Sequence, residues 1–394
     1  MREISFNGNF YRIHEKQEPH IIVESKKEIH GWFYDKKSRR RECTSERMLI
    51  NPYNGCSHNC FFCYAHSMKG YFEIFRKLKI ITVFKDFDKV VAEQLDSLNL
   101  CSCGYLSPVT DPFQPLNNEY KLTEKIMNEF VKRNIPVEFI TKGKVSDEAI
   151  NIMKKQKHSF GQISVLTLNE ELRKKFSFGA DTETLLKNIE RLSDNGIYAV
   201  ARIDPIFPYI TDKKEDLTNI VQEVKERGAK HIIASCVDIL SPVEKEFYEG
   251  IYKIDKKLIP KYRKLYNEKI GNYINADITY RKRLFEILKE ICVSEKISFS
   301  LCMEFEKTKN SLSGLNSLYS TTLNCEGIDV PVYIRDKKEN KFKPLKECKG
   351  NCLTCSKCLA VPELSEAKAL TLSDYKRFGK FLDKKFQQKL NFNP

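Results

Sequence analysis

The chain contains no run of about 18 apolar residues, so no membrane-crossing helix is expected. Its N-terminus, MREISFNGNFYRIHEK, lacks both the apolar core and the small-residue cleavage site of a secretory signal, and a cytoplasmic protein is expected on that ground. There is no internal repeat longer than one strand–helix unit and no low-complexity segment. No long basic block stands apart, because Lys and Glu are interspersed. Global disorder is excluded as well. Hydrophobic residues make up 41% of 394, enough for one large α/β domain with additions, or for two domains.

Cysteine, by contrast, is plentiful, with 14 in the chain. In a large chain without a secretory signal, cysteine serves metals or catalysis more often than disulfides. Lys and Arg number 67 against 53 Asp and Glu, a net charge of +14. That balance favours anionic partners, nucleic acid among them, or else keeps a Lys-rich surface solvated.

Residues 1–45 are polar and mixed, ending in the basic run KKSRRR (36–41). From 46 to about 240 apolar or β-branched runs alternate with helical patterns. Strands are expected at IITVF (80–84), GYLSPV (104–109), VEFIT (137–141), QISVLT (162–167), YAVARI (198–203) and HIIAS (231–235). Helices are expected at 123–133, 147–155, 182–195 and 214–228, with Asp147 and Asp181 as N-caps and stops at Asn195-Gly196 and Gly228. Such alternation predicts βαβ units and a parallel sheet, with chemistry at the C-terminal ends of the strands. VTDPFQP (109–115), TKG (141–143), TLNEE (167–171), RIDPIFP (202–208) and Ser235-Cys236 all stand there. Residues 241–310 read as a mainly helical, tyrosine-rich extension that includes a strand-like ISFSLCMEF (297–305), and 311–394 as a Cys-rich region.

Residues 51–65, NPYNGCSHNCFFCYA, place Cys56, Cys60 and Cys63 at C-x3-C-x2-C spacing. Closely spaced thiolates suit an iron–sulfur cluster or zinc. A structural zinc would need a fourth ligand, for which His58 or His66 is available. Three ligands to a four-iron cluster would instead leave one iron open. Phe62, just before the last cysteine, offers a planar ring beside that site.

The string NPYNGCSHNCFFCYA, then SPVTDPFQP, FITKG, SVLTLNEEL and RIDPIFP, closely resembles the spore photoproduct lyase-like branch of the radical S-adenosylmethionine (SAM) superfamily. The resemblance spans about residues 46–236. It implies a partial (β/α)6 TIM-like barrel of parallel strands with a helical C-terminal extension and a Cys-rich tail. It also implies a [4Fe-4S] cluster on Cys56, Cys60 and Cys63, and SAM chelated at the open iron. Reductive cleavage of SAM to a 5′-deoxyadenosyl radical would follow, with electrons from a reductant such as flavodoxin or ferredoxin, and then hydrogen abstraction from a substrate. Phe62, Thr110, Asp111, Lys142, Thr167, Asn169 and Arg202 are the expected SAM contacts. Thr110-Asp111 would face the methionine end and Lys142 a carboxylate. Thr167 and Asn169 would meet ribose hydroxyls. Arg202, in an otherwise apolar strand, needs a partner that a SAM carboxylate would supply. One departure stands out. Spore photoproduct lyase carries a hydrogen-donating cysteine immediately before its Ser/Thr-Asp motif, where this chain has Val109. The namesake's repair reaction is therefore not expected here.

A second cluster, Cys348, Cys352, Cys355 and Cys358, repeats the spacing and adds a fourth thiol. Thr354 replaces the aromatic, and too little chain follows for a barrel. An auxiliary [4Fe-4S] cluster or zinc is expected there, with Cys325 as a further candidate ligand. The substrate reading includes nucleic acid, from the charge and from Tyr262, Arg263, Tyr266, Tyr273, Tyr280, Arg281 and Arg283, since tyrosines near arginines stack bases. A peptide or small metabolite is the alternative. A zinc-stabilised nucleic-acid-binding protein without chemistry is the reading of another class.

Overall fold

In the computed structural model, YAVARIDPI forms a strand, Tyr198–Ile206, whose Ala199, Val200, Ala201 and Ile203 are all buried. A strand apolar on both faces belongs inside a covered parallel sheet. It is the fifth of seven parallel strands, β1 (Met48–Ile50), β2 (Gly104–Leu106), β3 (Val137–Thr141), β4 (Phe160–Ser164), β5 (Tyr198–Ile206), β6 (His231–Cys236) and β7 (Ser298–Leu301). The structure describes residues 2–6, 8–24, 27–31, 47–68, 70–309, 311–336, 338–346, 348–350, 372–373 and 376–377.

Spatial order follows sequence order from β1 to β7, every neighbouring pair is parallel, and the two ends do not pair. This is an open, partial TIM-like barrel. Helices supply the outer layer. Lys214–Glu226 buries Leu217, Ile220, Val221 and Val224, the i, i+3, i+4, i+7 stripe of an amphipathic helix. Thr182–Asp194 buries Leu185, Leu186, Ile189 and Leu192, is capped by Asp181 and stops before Gly196, whose φ is +69°.

Three expectations differ from the structure. IITVF is a strand, Ile81–Lys85, but it pairs with His20–Glu24 and Tyr53–Asn54 in a separate sheet. The strand that opens the barrel is the three-residue β1. The segment read as strand-like at 297–305 contributes β7, which closes the series beside β6. The extension holds the helices Glu244–Ile254, Leu258–Leu265 and Ile278–Ser294, yet it also contains an antiparallel sheet of Ile239–Leu240, Tyr266–Ile270 and Tyr273–Ala276. Its hairpin turns at Gly271, with φ +62°. Arg281, fully buried, ties that hairpin to the end of β7 through ion pairs with Glu268 and Glu304 and a 2.8 Å bond to the Phe305 carbonyl. Among the described residues no helix is long and apolar enough to cross a membrane.

Candidate active site

The cysteine loop leaves β1 at its C-terminal end and is fixed from three sides. Tyr53–Asn54 pairs with Thr82 and Val83. Gly55 has φ +87°, and a Cβ there would lie 2.8 Å from the Phe75 ring, so only glycine fits. The Gly55 carbonyl accepts from Thr110 Oγ1 at 2.6 Å and Gln114 Nε2 at 3.3 Å, while the Ser57 amide donates to Gln114 Oε1 at 3.3 Å. Thr110 therefore clamps the cysteine loop, together with Gln114.

Asp111 is a buried hub. Its Oδ1 accepts from the Phe113 amide (2.9 Å) and Thr141 Oγ1 (2.7 Å), and its Oδ2 accepts from the Lys142 amide (2.8 Å) and lies 3.1 Å from His58 Nδ1. Burial pushes this carboxyl up, but the His58 charge and these donors outweigh it and hold it below the usual range. Asp111 thus joins the cysteine loop, through His58, to the end of β3. Gly143 allows that close approach, since a Cβ on it would stand 2.4 Å from the Phe113 carbonyl oxygen.

These elements line a cavity of about 420 Å³ at the C-terminal end of the sheet. Cys56, Cys60, Cys63, Phe62, Thr110, Asp111, Lys142 and Arg202 all reach it, so eight of the residues expected to act together do meet there. Lys142 Nζ lies 5.9 Å from the Phe62 ring centre. Thr167 and Asn169 are not on the wall. Asn169 Oδ1 accepts from the Leu172 amide and caps the helix Glu170–Phe176, and Thr167 Oγ1 accepts from the Asn169 amide. Both are used in a strand-to-helix turn.

Arg202 is buried, as expected, but its partner belongs to the chain. It is ion-paired with Asp204, with Nε at 3.0 Å, and Nη1 donates to Gln162 Oε1 at 2.7 Å. Gln162 Nε2 donates to Glu138 at 3.0 Å, and Arg47 lies between Glu138 (3.3 Å) and Glu326. Burial, and then the charge of Glu326, pushes the Glu138 carboxyl well up, although Arg47 beside it acts the other way. Asp204, Gln162, Glu326 and Cys302 on the wall are residues that motif reading missed. Arg202-x-Asp204 carried a usable signal, because two residues apart on a strand share a face. Cys236 and Cys302 line the cavity, whereas Cys101 and Cys103 do not. Burial pushes the Cys302 thiol up to about 12. From the extension, Leu240, Ile270, Tyr273 and Asn275 complete the wall.

The second cysteine cluster lies mostly outside the described residues: Cys352, Cys355 and Cys358 are not among them. Cys348 is, and its Sγ accepts from the Val332 amide at 3.4 Å. Cys325 is buried on the wall of the main cavity. The expected base-stacking set is largely committed elsewhere. Tyr262 and Tyr266 are buried and stacked on each other, and their hydroxyls donate to the carbonyls of Pro208 and Val237. Tyr280 bonds Asp212, and Arg281 is the buried ion pair above.

The donor set fits an iron–sulfur cluster. Burial raises all three thiols, Cys63 to about 11, with the Asp111 charge adding to it at Cys56 and Cys60 and the Cys60 thiolate at Cys56 and Cys63, so a cationic metal centre is what would stabilise three thiolates there. Among the described residues no three His, Cys, Asp or Glu side chains converge on a single ion. A cluster that offers a separate iron to each thiolate needs no such convergence.

Residues 50–224 match the model of the Radical SAM superfamily. A relative from Pseudomonas phage M6, named Radical SAM Nalpha-GlyT isomerase, is 27% identical over 384 residues, which cover 91% of this chain and 78% of the relative. An uncharacterized protein of Methanocaldococcus jannaschii is 27% identical over 171 residues, 42% of this chain and 62% of its own. Among solved structures, a spore photoproduct lyase mutant with bound AdoMet and dinucleoside spore photoproduct aligns with a TM-score of 0.50 at 12% identity, over 69% of this chain and 78% of that one. That likeness is one of fold.

Proposed function

We propose that the chain is an enzyme of the radical SAM superfamily, whose model it matches over residues 50–224, and that it abstracts a hydrogen atom from a nucleic-acid substrate admitted to the cavity beside Cys56, Cys60 and Cys63. The carrying observation is the convergence of those three thiols with Phe62, Asp111 and Lys142 on one cavity wall. When bound, a [4Fe-4S] cluster supplies the electron that cleaves SAM to methionine and a 5′-deoxyadenosyl radical. The chain's own residues position and enclose. Cys56, Cys60 and Cys63 would hold the cluster. Asp111, through His58 and the Lys142 amide, keeps the two flanking loops in register. Lys142 makes no ion pair among the described residues, so it is better placed than Arg202 to meet the SAM carboxylate. Apolar side chains such as Phe72, Ile140, Ile233 and Leu240 keep water away from a reactive species.

The basic balance supports the nucleic-acid substrate, and the phage relative's name supports a rearrangement in which a hydrogen is removed and one is returned. A second reading, a peptide or small metabolite, is favoured by the commitment of Tyr262, Tyr266, Tyr280 and Arg281 to contacts within the protein. Cys348, Cys352, Cys355 and Cys358 would hold an auxiliary [4Fe-4S] cluster, with zinc as the alternative, and a flavodoxin or ferredoxin would serve as reductant.

Anaerobic protein with SAM and dithionite tests the reading. Expected are 5′-deoxyadenosine from the wild type and none from Cys56→Ala, Cys60→Ala or Cys63→Ala. Cys352→Ala is expected to keep this uncoupled cleavage and to lose substrate turnover. Cleavage that survives all three loop substitutions, or that vanishes in Cys352→Ala alone, would overturn the assignment of the clusters.

A further inference from the structure

The helix Glu244–Ile254 faces the barrel with Phe247, Gly250 and Ile251. Its exposed side carries Tyr252, one turn from Tyr248, which is half-buried and packs on the core. Tyr252 is 60% exposed. Together with Ile259 and Arg263 of the next helix, these rings border an open groove of about 750 Å³. The Arg263 guanidinium lies 5.3 Å from the Tyr248 ring centre. Nearby, Tyr209 is 42% exposed with Lys261 Nζ 5.5 Å from its ring centre.

The chain between Lys253 and Arg263, both on the groove, is basic. Residues 253–264 hold Lys253, Lys256, Lys257, Lys261, Arg263 and Lys264 against Asp255 alone. Two carboxylates, Glu244 and Glu249, stand on the groove as well, beside Lys245 and Lys253. The groove begins at Ser241, next to Leu240, which lines the reaction cavity, and Tyr209 follows the C-terminal end of β5.

We propose that this groove docks single-stranded nucleic acid, with a base stacked on Tyr252 and phosphates held by Lys253 and Arg263 on the groove and by the lysines between them in the chain. An exposed aromatic face flanked by cations is an arrangement that grips a strand irrespective of base identity. An acidic peptide would meet the cations but would leave the rings without planar partners. The proposal rests on the nucleic-acid reading above and supplies it with a place, sharing only Arg263 with the residues that the sequence suggested.

The test uses the full chain and fluorescein-labelled oligonucleotides of mixed sequence, one DNA and one RNA, followed by anisotropy as salt rises from about 50 to 200 mM. Expected is binding that weakens steeply with salt. Lys253→Glu with Lys261→Glu should flatten the salt slope, by about 0.7 for each phosphate that is no longer neutralised. Tyr252→Ala should weaken binding about tenfold and Tyr252→Trp should restore it, with thermal unfolding confirming that each variant is folded. The arm that binds more tightly identifies the strand as DNA or RNA. The proposal is overturned if the wild type retains neither strand, if Tyr252→Ala binds as the wild type does, or if a polyglutamate peptide competes as well as an oligonucleotide. Wild type that cleaves SAM but binds no strand sinks the docking site and leaves the radical chemistry standing. Strand binding without SAM cleavage does the reverse.

Discussion

Arg202, expected to meet a SAM carboxylate, is paired within its own chain. A buried guanidinium demands an anion. The structure supplies it in Asp204, two residues along the same strand. Asp204→Asn leaves Arg202 buried without its counter-charge, and the expected cost is about 3–5 kcal/mol, read as a lower urea midpoint. Lys142→Met removes a cation on the cavity wall that is free of protein ion pairs among the described residues. Its expected effect is a KM for SAM raised about tenfold in the uncoupled cleavage assay, with little change in stability. The cysteine triplet, Phe62, Asp111 and Lys142 were legible because motif and strand end coincide. Glu326 and Cys302 were not, because their place on the wall depends on segments that meet only in three dimensions, whereas Asp204 was legible in its spacing from Arg202 on one strand face and was passed over.

At the scale of the element, local chemistry read well and partnership did not. Asp181 accepts from the Thr184 amide at 2.7 Å, as an N-cap should. Asp147, read in the same way, is the first residue of its helix. Ser146 is the cap, and its hydroxyl also donates to the buried Glu124 at 2.6 Å. Asp181→Ala should cost about 1 kcal/mol, and Ser146→Ala more than Asp147→Ala, in thermal or urea unfolding. IITVF has the strongest strand signature ahead of residue 100, yet it joins a flanking sheet, while the three-residue β1 begins the barrel. Hydrophobic pattern reports burial, and nothing in it says which sheet does the burying. The hairpin in the extension had its own signal, Gly271-Asn272 between two short runs, within a segment whose charge and length read as helix.

For the whole molecule, one buried histidine sets an acid limit. His231 on β6 is fully buried, with Ser298 and Ser300 hydroxyls of β7 at 2.9 and 3.0 Å from its two ring nitrogens. Burial lowers it to about 4, although the Cys325 carbonyl and the Glu326 charge favour the protonated ring. Below its ordinary value of 6.5 the unfolded chain takes a proton there that the folded chain refuses, so stability falls as pH falls from about 6.5 to 4. From pH 7 to 5 the loss attributable to this site is about 2 kcal/mol. The difference in urea midpoint between those pH values should shrink in His231→Gln. An unchanged difference would place the acid sensitivity elsewhere.

The strict sequential order of β1 to β7 also has a meaning in time. The thiols of Cys56, Cys60 and Cys63 are synthesised right after the first strand, whereas Cys302, Cys325 and Glu326, which finish the cavity wall, follow from 239 positions beyond Cys63. At about 5–20 residues per second, roughly 10–50 s separate the two on the ribosome. For that interval the cysteine loop stands without its enclosure, so a cluster held there, as proposed above, would be deliverable to the nascent chain without any later opening of the finished protein.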